Sequence, residues 1–421
     1  MSALQKTIMK NKLPPKIPRT SGTSKLAPFS GGRRKDYTPV SWKNYFEKFV
    51  DLETEGGVFR VYLSPEPDMN QRPRIVTLHG GGYSALSWAL FTQEITNMIH
   101  CQVVSLDVRA HGETQAKDPD DLSIETLVKD VEQVLHKLYG QEMPPIILLG
   151  HSMGGAIAVR AAHVPSLEPY VQGVAVIDVV EGTAMESLAS MQSFLRSRPT
   201  HFRSIEHAIE WCVRSGQVRN VDSARVSIGE FRQILSSYIL LLDKKYPVYV
   251  YHSSLTRSCA TGQLATNEVE DYQGELTPTE PLPPPPRGDV IAEEGEDGEG
   301  EGEGEGDAAH FTRPAGDDKG LKYGWRVRLA GSERHWAGWF GGLSAAFLSA
   351  RAPRLLLLAS LDGLDRDLTV GQMQGRFQMQ VLTRCGHAVH EDSPAEVARV
   401  LSSFALRHRL TESTQSDEHF L

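Results

Sequence analysis

The chain has 421 residues, 40% of them hydrophobic, enough for one large domain or two modest ones. Its formal net charge is −9, but Glu293 to Asp307 alone hold nine acids and no base, so the remainder is near neutral. No basic stripe suggests nucleic acid as a partner, and the four dispersed cysteines (Cys101, Cys212, Cys259, Cys385) form neither a zinc spacing nor a disulfide framework.

Residues 1–36 are rich in Pro, Ser, Gly and Lys and are expected to be disordered. They contain basic residues but no apolar core of a secretory signal. Apolar runs such as "PRLLLLAS" are too short to span a bilayer, so no membrane association is expected. An intracellular location, cytoplasmic and/or nuclear, is the expectation.

From Trp42 the composition changes. "VSWKNYFEKFVDLET" places Trp42, Tyr45, Phe46 and Phe49 on one helical or irregular apolar face, and "GVFRVYLS" alternates like a strand. A strand–helix rhythm follows. "RIVTLHGGG" reads as a strand ending in a Gly-rich turn, and "SALSWALFTQEITNMI" as a helix. "CQVVSLDVRAHGET" reads as strand and loop. "SIETLVKDVEQVLHKLYG" has helical period through Leu127, Val131, Leu135 and Leu138. "PIILLG" and "VQGVAVIDVVEG" are further strands around the helix "SMGGAIAVRAAHV". The order predicts an α/β fold, with a mostly parallel central sheet and helices on both faces.

Residues 183–227 break this rhythm. They read as two amphipathic helices with no strand between them, a helical cap over the sheet edge. The stretch 228–255 is apolar and could hold helix and strand. Residues 256–318, with "PLPPPPRGD" and the Glu–Gly run, are expected to form a flexible acidic loop. The catalytic domain is therefore expected over 37–255 and 319–410. It resumes with the aromatic-rich "YGWRVRLAGSERHWAGWFGG", the strand "PRLLLLAS", the strand and loop "FQMQVLTRCGHAVHEDSP" and the helix "AEVARVLSSFALRHRL". Residues 411–421 are expected to be a loose tail.

Chemistry concentrates at strand ends. "GHSMGG" matches G-x-S-x-G at Gly150, Ser152 and Gly154, between a strand and a helix. A sharp turn there lifts a serine hydroxyl above the sheet at a helix N-terminus, so Ser152 is the expected nucleophile. Serine needs a base. His387 follows the last strand and is preferred over His390, because Gly386 permits a sharp turn beside it. His151 adjoins the nucleophile but should point away from its Oγ, and His79 is expected to order a loop. Three aspartates compete as the group that orients the base: Asp178, ending the strand after the elbow, and Asp362 and Asp365, ending the strand before the histidine. Spacing does not choose among them. Asp107 lies too early in the strand order and is expected to tie down a loop with Arg109 or His111. The oxyanion donors are expected to be the N–H of Met153 and that of Gly81, with Gly80 or Gly82 as alternatives. No phosphate loop, dinucleotide fingerprint or metal-ligand spacing is present, so no cofactor and no metal are expected.

The segments "LHGGGYSALSWALFT", "GHSMGGAIAV", "IDVVEGTAM", "GQMQGRFQMQVL" and "CGHAVHED" together resemble the protein phosphatase methylesterases, serine hydrolases of the α/β-hydrolase superfamily. The resemblance covers about 37–227 and 321–410 and fades over 228–320. It implies an α/β-hydrolase fold and a Ser152–Asp178–His387 triad, with Asp362 and Asp365 as structural residues. It also implies removal of the methyl ester from the C-terminal leucine of the protein phosphatase 2A catalytic subunit. Holding of inactive phosphatase would be a second, binding role.

Overall fold

The computed structural model describes residues 35–65, 72–186, 188–228, 232–234, 322–327, 329–360 and 364–414. The chain divides into a unit formed by 1–236 and 320–421 and a second unit, 237–319. The second, with the expected acidic loop 256–318, lies outside the described residues, as do residues 1–34 of the expected N-terminal segment and Asp362.

The first unit is built on a nine-stranded sheet. Its strands are β1 (Lys48–Thr54), β2 (Gly57–Ser64), β3 (Arg74–Leu78), β4 (Gln102–Leu106), β5 (Gln115–Ala116), β6 (Ile146–His151), β7 (Val171–Ile177), and two later ones, Arg354–Leu358 and Gln378–Val381. Three short strands between these form a separate small sheet: β8 (His201–Phe202), β9 (Arg232–Ile234) and β10 (Lys322–Gly324). The two later strands are therefore β11 and β12. The main sheet runs β1-β2-β4-β3-β6-β7-β11-β12, with β5 on β2. Pairing is parallel from β4 to β12 and antiparallel among β1, β2, β4 and β5.

The helices are α1 (Ala89–Met98), α2 (Ile124–Tyr139), α3 (Met153–Ala161), α4 (Glu181–Glu186), α5 (Leu188–Ser197), α6 (Ile205–Arg214), α7 (Val221–Ser227), α8 (Glu333–Phe340), α9 (Leu343–Ser349), α10 (Arg366–Met373), α11 (Val389–Asp392) and α12 (Pro394–Arg407). The apolar strand runs are explained by burial on both sides. On β6, Ile146 and Leu148 face the core that holds Leu127, Ile157 and Phe340. Ile147 and Leu149 face the core that holds Phe91, Leu401 and Phe404. β7 and β11 split the same way, Val174 and Leu356 to one side, Ala175 and Leu355 to the other.

The cap spans α4 to α7. The expectation of no strand between its helices is corrected: β8 lies between α5 and α6 and pairs antiparallel with β10. Two residues are too few to leave an alternating pattern, and the partner lies about 120 positions on. Trp42 opens a short 3-10 turn that Tyr45 and Phe46 follow, whereas Phe49 belongs to β1 and meets the Trp42 ring from there (5.5 Å). Residues 411–414 of the expected loose tail are docked. His100 N donates to Glu412 O (3.0 Å), Thr414 N donates to Met98 O (3.1 Å), and Ile99 bridges Ser413. The end of α1 leaves backbone groups that this segment satisfies.

A buried ion pair ties the loop after β4 to α2. Arg109 donates twice to Asp130 on α2 (2.6 and 2.7 Å), with side chains only 5% and 4% exposed, and its third bond goes to Asp118 O (2.7 Å). This anchors the loop after β4 to a core helix. Asp130→Ala leaves the guanidinium buried and uncompensated, and is expected to cost about 3–5 kcal/mol in urea unfolding. A loss within experimental error of zero would show that water reaches the pair.

Candidate active site

β6 runs into α3 with no intervening loop. Ser152 sits at the junction with φ 51° and ψ −118°, a left-handed backbone for a non-glycine residue. The flanking glycines explain how the chain can pass. A Cβ on Gly150 would lie 2.1 Å from Gly154 O, and one on Gly154 would lie 2.1 Å from Leu78 O. Asp178 repeats the device on the neighbouring strand, with φ 52°. Both residues extend the sheet ladder one step: Ser152 N donates to Ile177 O (3.0 Å), and Asp178 N donates to Leu357 O (2.8 Å).

Asp178 receives two bonds. Ala359 N donates to Oδ1 (2.8 Å), and His387 Nδ1 donates to Oδ2 (2.8 Å). Burial pushes the carboxyl upward. The hydrogen bond and charge of His387, with the Ala359 N–H, outweigh it and hold Asp178 below the usual carboxylate range. Asp178 is therefore ionised at neutral pH. The His387 ring is half exposed, at 54%, and opens onto a cavity of about 570 Å³. Ser152, Met153, Gly81 and Asp178 line the same cavity, with an apolar wall that includes Met191, Leu195, Trp336 and Leu358.

The competing residues lie elsewhere. His390 is fully buried, its ring 4.2 Å from that of Trp88 and 4.5 Å from that of His151. Asp365 caps α10, accepting from Leu368 N (2.9 Å), and also bonds Ser344. Asp107 ties a loop, but through Ala85 N (2.7 Å) and Glu113 N (2.8 Å) rather than through the expected Arg109 or His111. Arg109 is committed to Asp130.

The Gly-rich loop is held by two histidines. His79 accepts from Val108 N (3.0 Å) and donates to Gly80 O (2.8 Å). His111 accepts from Gly82 N (2.9 Å) and donates to Arg109 O (2.7 Å). Accepting at Nε2 requires neutral rings. Burial keeps them neutral, driving His79 well down and His111 to about 4. The bond to His111 engages the Gly82 N–H, which leaves Gly81 and Gly80 of the three glycines proposed as oxyanion donors.

The loop bearing His387 is clamped from two sides. His151, fully buried, bonds His387 O (2.8 Å), so the residue before Ser152 positions the backbone of the expected base. From the cap, Arg219 N donates to Asp392 Oδ1 (2.7 Å) and Ser223 Oγ donates to Glu391 Oε2 (2.8 Å). Gly386 N donates to Asp392 Oδ2 (2.6 Å). The positioning roles of His151 and His111 were not expected: only its place inside the elbow motif marks His151, and nothing local ties His111 to the Gly-rich loop 29 residues before it.

Burial raises the Glu391 carboxyl to about 7, against the bond from Ser223. A raised acid destabilises the fold once it must ionise. Below about 4.5 it is protonated in folded and unfolded chains alike; between 4.5 and 7 the unfolded chain ionises first and stability falls as pH rises; above 7 the loss is constant. Glu391→Gln is expected to remove this slope and to gain up to roughly 3 kcal/mol at pH 8, with little change at pH 4, in denaturant melts. An unchanged slope between pH 5 and 7 would contradict the assignment.

Comparison with known proteins agrees with this architecture. The sequence profile of the alpha/beta hydrolase family matches residues 75–297 and 258–400. Protein phosphatase methylesterase 1 of Homo sapiens is 45% identical, over 98% of this chain and 97% of that protein. The probable protein phosphatase methylesterase 1 of Caenorhabditis elegans is 35% identical, over 95% of this chain and 84% of that protein. Among solved structures, E-2-(acetamidomethylene)succinate hydrolase is similar with a TM-score of 0.55 at 13% identity, over 85% of this chain and 99% of that one, a likeness of fold alone. With its elbow serine, its glycine loop and relatives this similar along nearly its whole length, the chain belongs to the protein phosphatase methylesterase 1 family of α/β hydrolases.

Proposed function

We propose that this chain is a serine carboxylesterase that removes the methyl ester from the C-terminal leucine of the protein phosphatase 2A catalytic subunit. The observation that carries the chemistry is the Asp178–His387 hydrogen bond at the mouth of the cavity that Ser152 lines. The substrate follows from the near full-length identity to protein phosphatase methylesterase 1. The apolar wall of Met191, Leu195, Trp336 and Leu358 suits a leucine side chain.

His387 Nε2 takes the Ser152 proton as Oγ attacks the ester carbonyl. Asp178, ionised, holds the tautomer in which Nδ1 carries its hydrogen and stabilises the imidazolium. The N–H groups of Met153, at the first turn of α3, and of Gly81 receive the oxyanion. His387 returns the proton to the leaving methoxide, and methanol departs. Water, deprotonated by the same ring, then cleaves the acyl-serine to give the leucine carboxylate and free Ser152. A methyl leaving group offers little to bind, so selectivity comes from the leucine, the preceding peptide and the body of the phosphatase. The same contacts support a second role, binding and holding inactive phosphatase.

Among the described residues, no helix is long and apolar enough to cross a membrane. The described cysteines, Cys101, Cys212 and Cys385, are free and buried, which supports a reducing cytoplasmic and/or nuclear location.

Methanol release from methylated phosphatase tests the reading. Ser152→Ala is expected to lose at least about 10³-fold in kcat, and Asp178→Asn about 10³–10⁴-fold with KM little changed. Asparagine is the right probe at 178 because it tolerates positive φ. Equal rates for wild type and Ser152→Ala would overturn the nucleophile; full activity of Asp178→Asn would overturn the orienting acid.

A further inference from the structure

Arg198 follows α5 directly and borders the cavity that Ser152 and His387 line. It also borders a smaller adjoining cavity that reaches Glu391. Its guanidinium carbon lies 3.4 Å from the ring centroid of Trp325. That ring is fixed in turn: its indole N–H donates to Pro199 O (2.6 Å), one residue beyond the arginine. The cation thus sits over an aromatic face whose position the chain itself sets.

The site lacks a counter-charge among the described residues. Among the described residues Arg198 forms no ion pair, and its Nε is buried without an acceptor. The acids that share its two cavities are engaged elsewhere, Asp178 with His387 and Glu391 with Ser223. Burial lowers Arg198 only to about 10, so it remains cationic at neutral pH. A guanidinium fork that no described carboxylate pairs, in a largely apolar wall, is a prepared receptor for one.

We propose that Arg198 is a specificity residue that receives a carboxylate of the polypeptide substrate. The inference rests on the esterase reading above. Two carboxylates of such a substrate could meet it: an acidic side chain upstream of the ester, or the terminal carboxylate freed by turnover. The first makes Arg198 a determinant of KM; the second makes it a determinant of product release.

The test uses hexapeptide leucine methyl esters with a neutral parent and a single Asp scanned through the five preceding positions. The free acid of the parent serves as inhibitor, and p-nitrophenyl acetate as an ester without a peptide. Wild type, Arg198→Gln and Arg198→Lys are compared after their melting temperatures have been matched. If the side chain is the source, Asp at one or two positions lowers the wild-type KM by at least about 5-fold. Arg198→Gln erases that preference, Arg198→Lys keeps part of it, and kcat on the neutral parent and on p-nitrophenyl acetate stays within about 3-fold. If the freed terminus is the source, the scan is flat and the free acid inhibits wild type about 10-fold more tightly than Arg198→Gln. Identical Asp preference and identical inhibition in wild type and Arg198→Gln would overturn the proposal. So would an equal loss on every ester, p-nitrophenyl acetate included, which marks a merely structural arginine. A wild-type enzyme inactive on all esters and on methylated phosphatase would instead sink the esterase reading itself, and this proposal with it.

Discussion

The site depends on one backbone constraint, the left-handed conformation of Ser152 where β6 meets α3. Such a conformation costs of order 1–3 kcal/mol for a non-glycine residue and persists only when its surroundings over-determine it. Here they do. The Ser152 N–H is tied to Ile177 O on the next strand, and nearly all of α3 is buried against the sheet. Gly150 and Gly154 close on backbone with no room for a methyl group. Relaxing the turn would require pulling a core helix off the sheet. The hydroxyl is therefore presented by the rigid centre of the molecule rather than by a loop.

The other groups are keyed to that centre. Asp178 ends the adjacent strand in the same unusual backbone, and parallel register puts the two side by side. His387 comes from a loop after the last strand, which by itself fixes little. Its position is set by His151 below and by the cap residues Arg219 and Ser223 beside it. Neutral, buried imidazoles do a parallel job at the Gly-rich loop, where a charged ring could not accept the backbone N–H groups of Gly82 and Val108. The cap is accordingly a support for the base loop as well as a wall of the cavity.

Much of this was legible in the sequence because it is local. Apolar runs such as "PIILL" announce strands buried on both faces, and the elbow glycines announce a close backbone passage. The aspartate was not legible from spacing: Asp178 and Asp365 both follow strands that end at the same sheet edge. What separates them is tertiary, since Asp178 reaches His387 while Asp365 caps α10. Long-range features were likewise silent. The β8–β10 pairing joins two-residue segments far apart in the chain, and the docking of 411–414 combines backbone pairing with the hydroxyls of Thr411 and Thr414, which reach partners 311 and 317 residues earlier. Arg198 lies in the unremarkable run "RSRPT", and only the fold shows it bordering the cavity with no ion pair among the described residues.

The central claim is that Ser152 is activated through a histidine that Asp178 holds in place. The most direct measurement is the rate and site of phosphonylation by a fluorophosphonate, mapped by peptide mass spectrometry. A single adduct on Ser152 is expected, formed at least about 10²-fold more slowly in Asp178→Asn and His387→Ala. An adduct on another residue, or labelling of Ser152 at the wild-type rate in both variants, would contradict it.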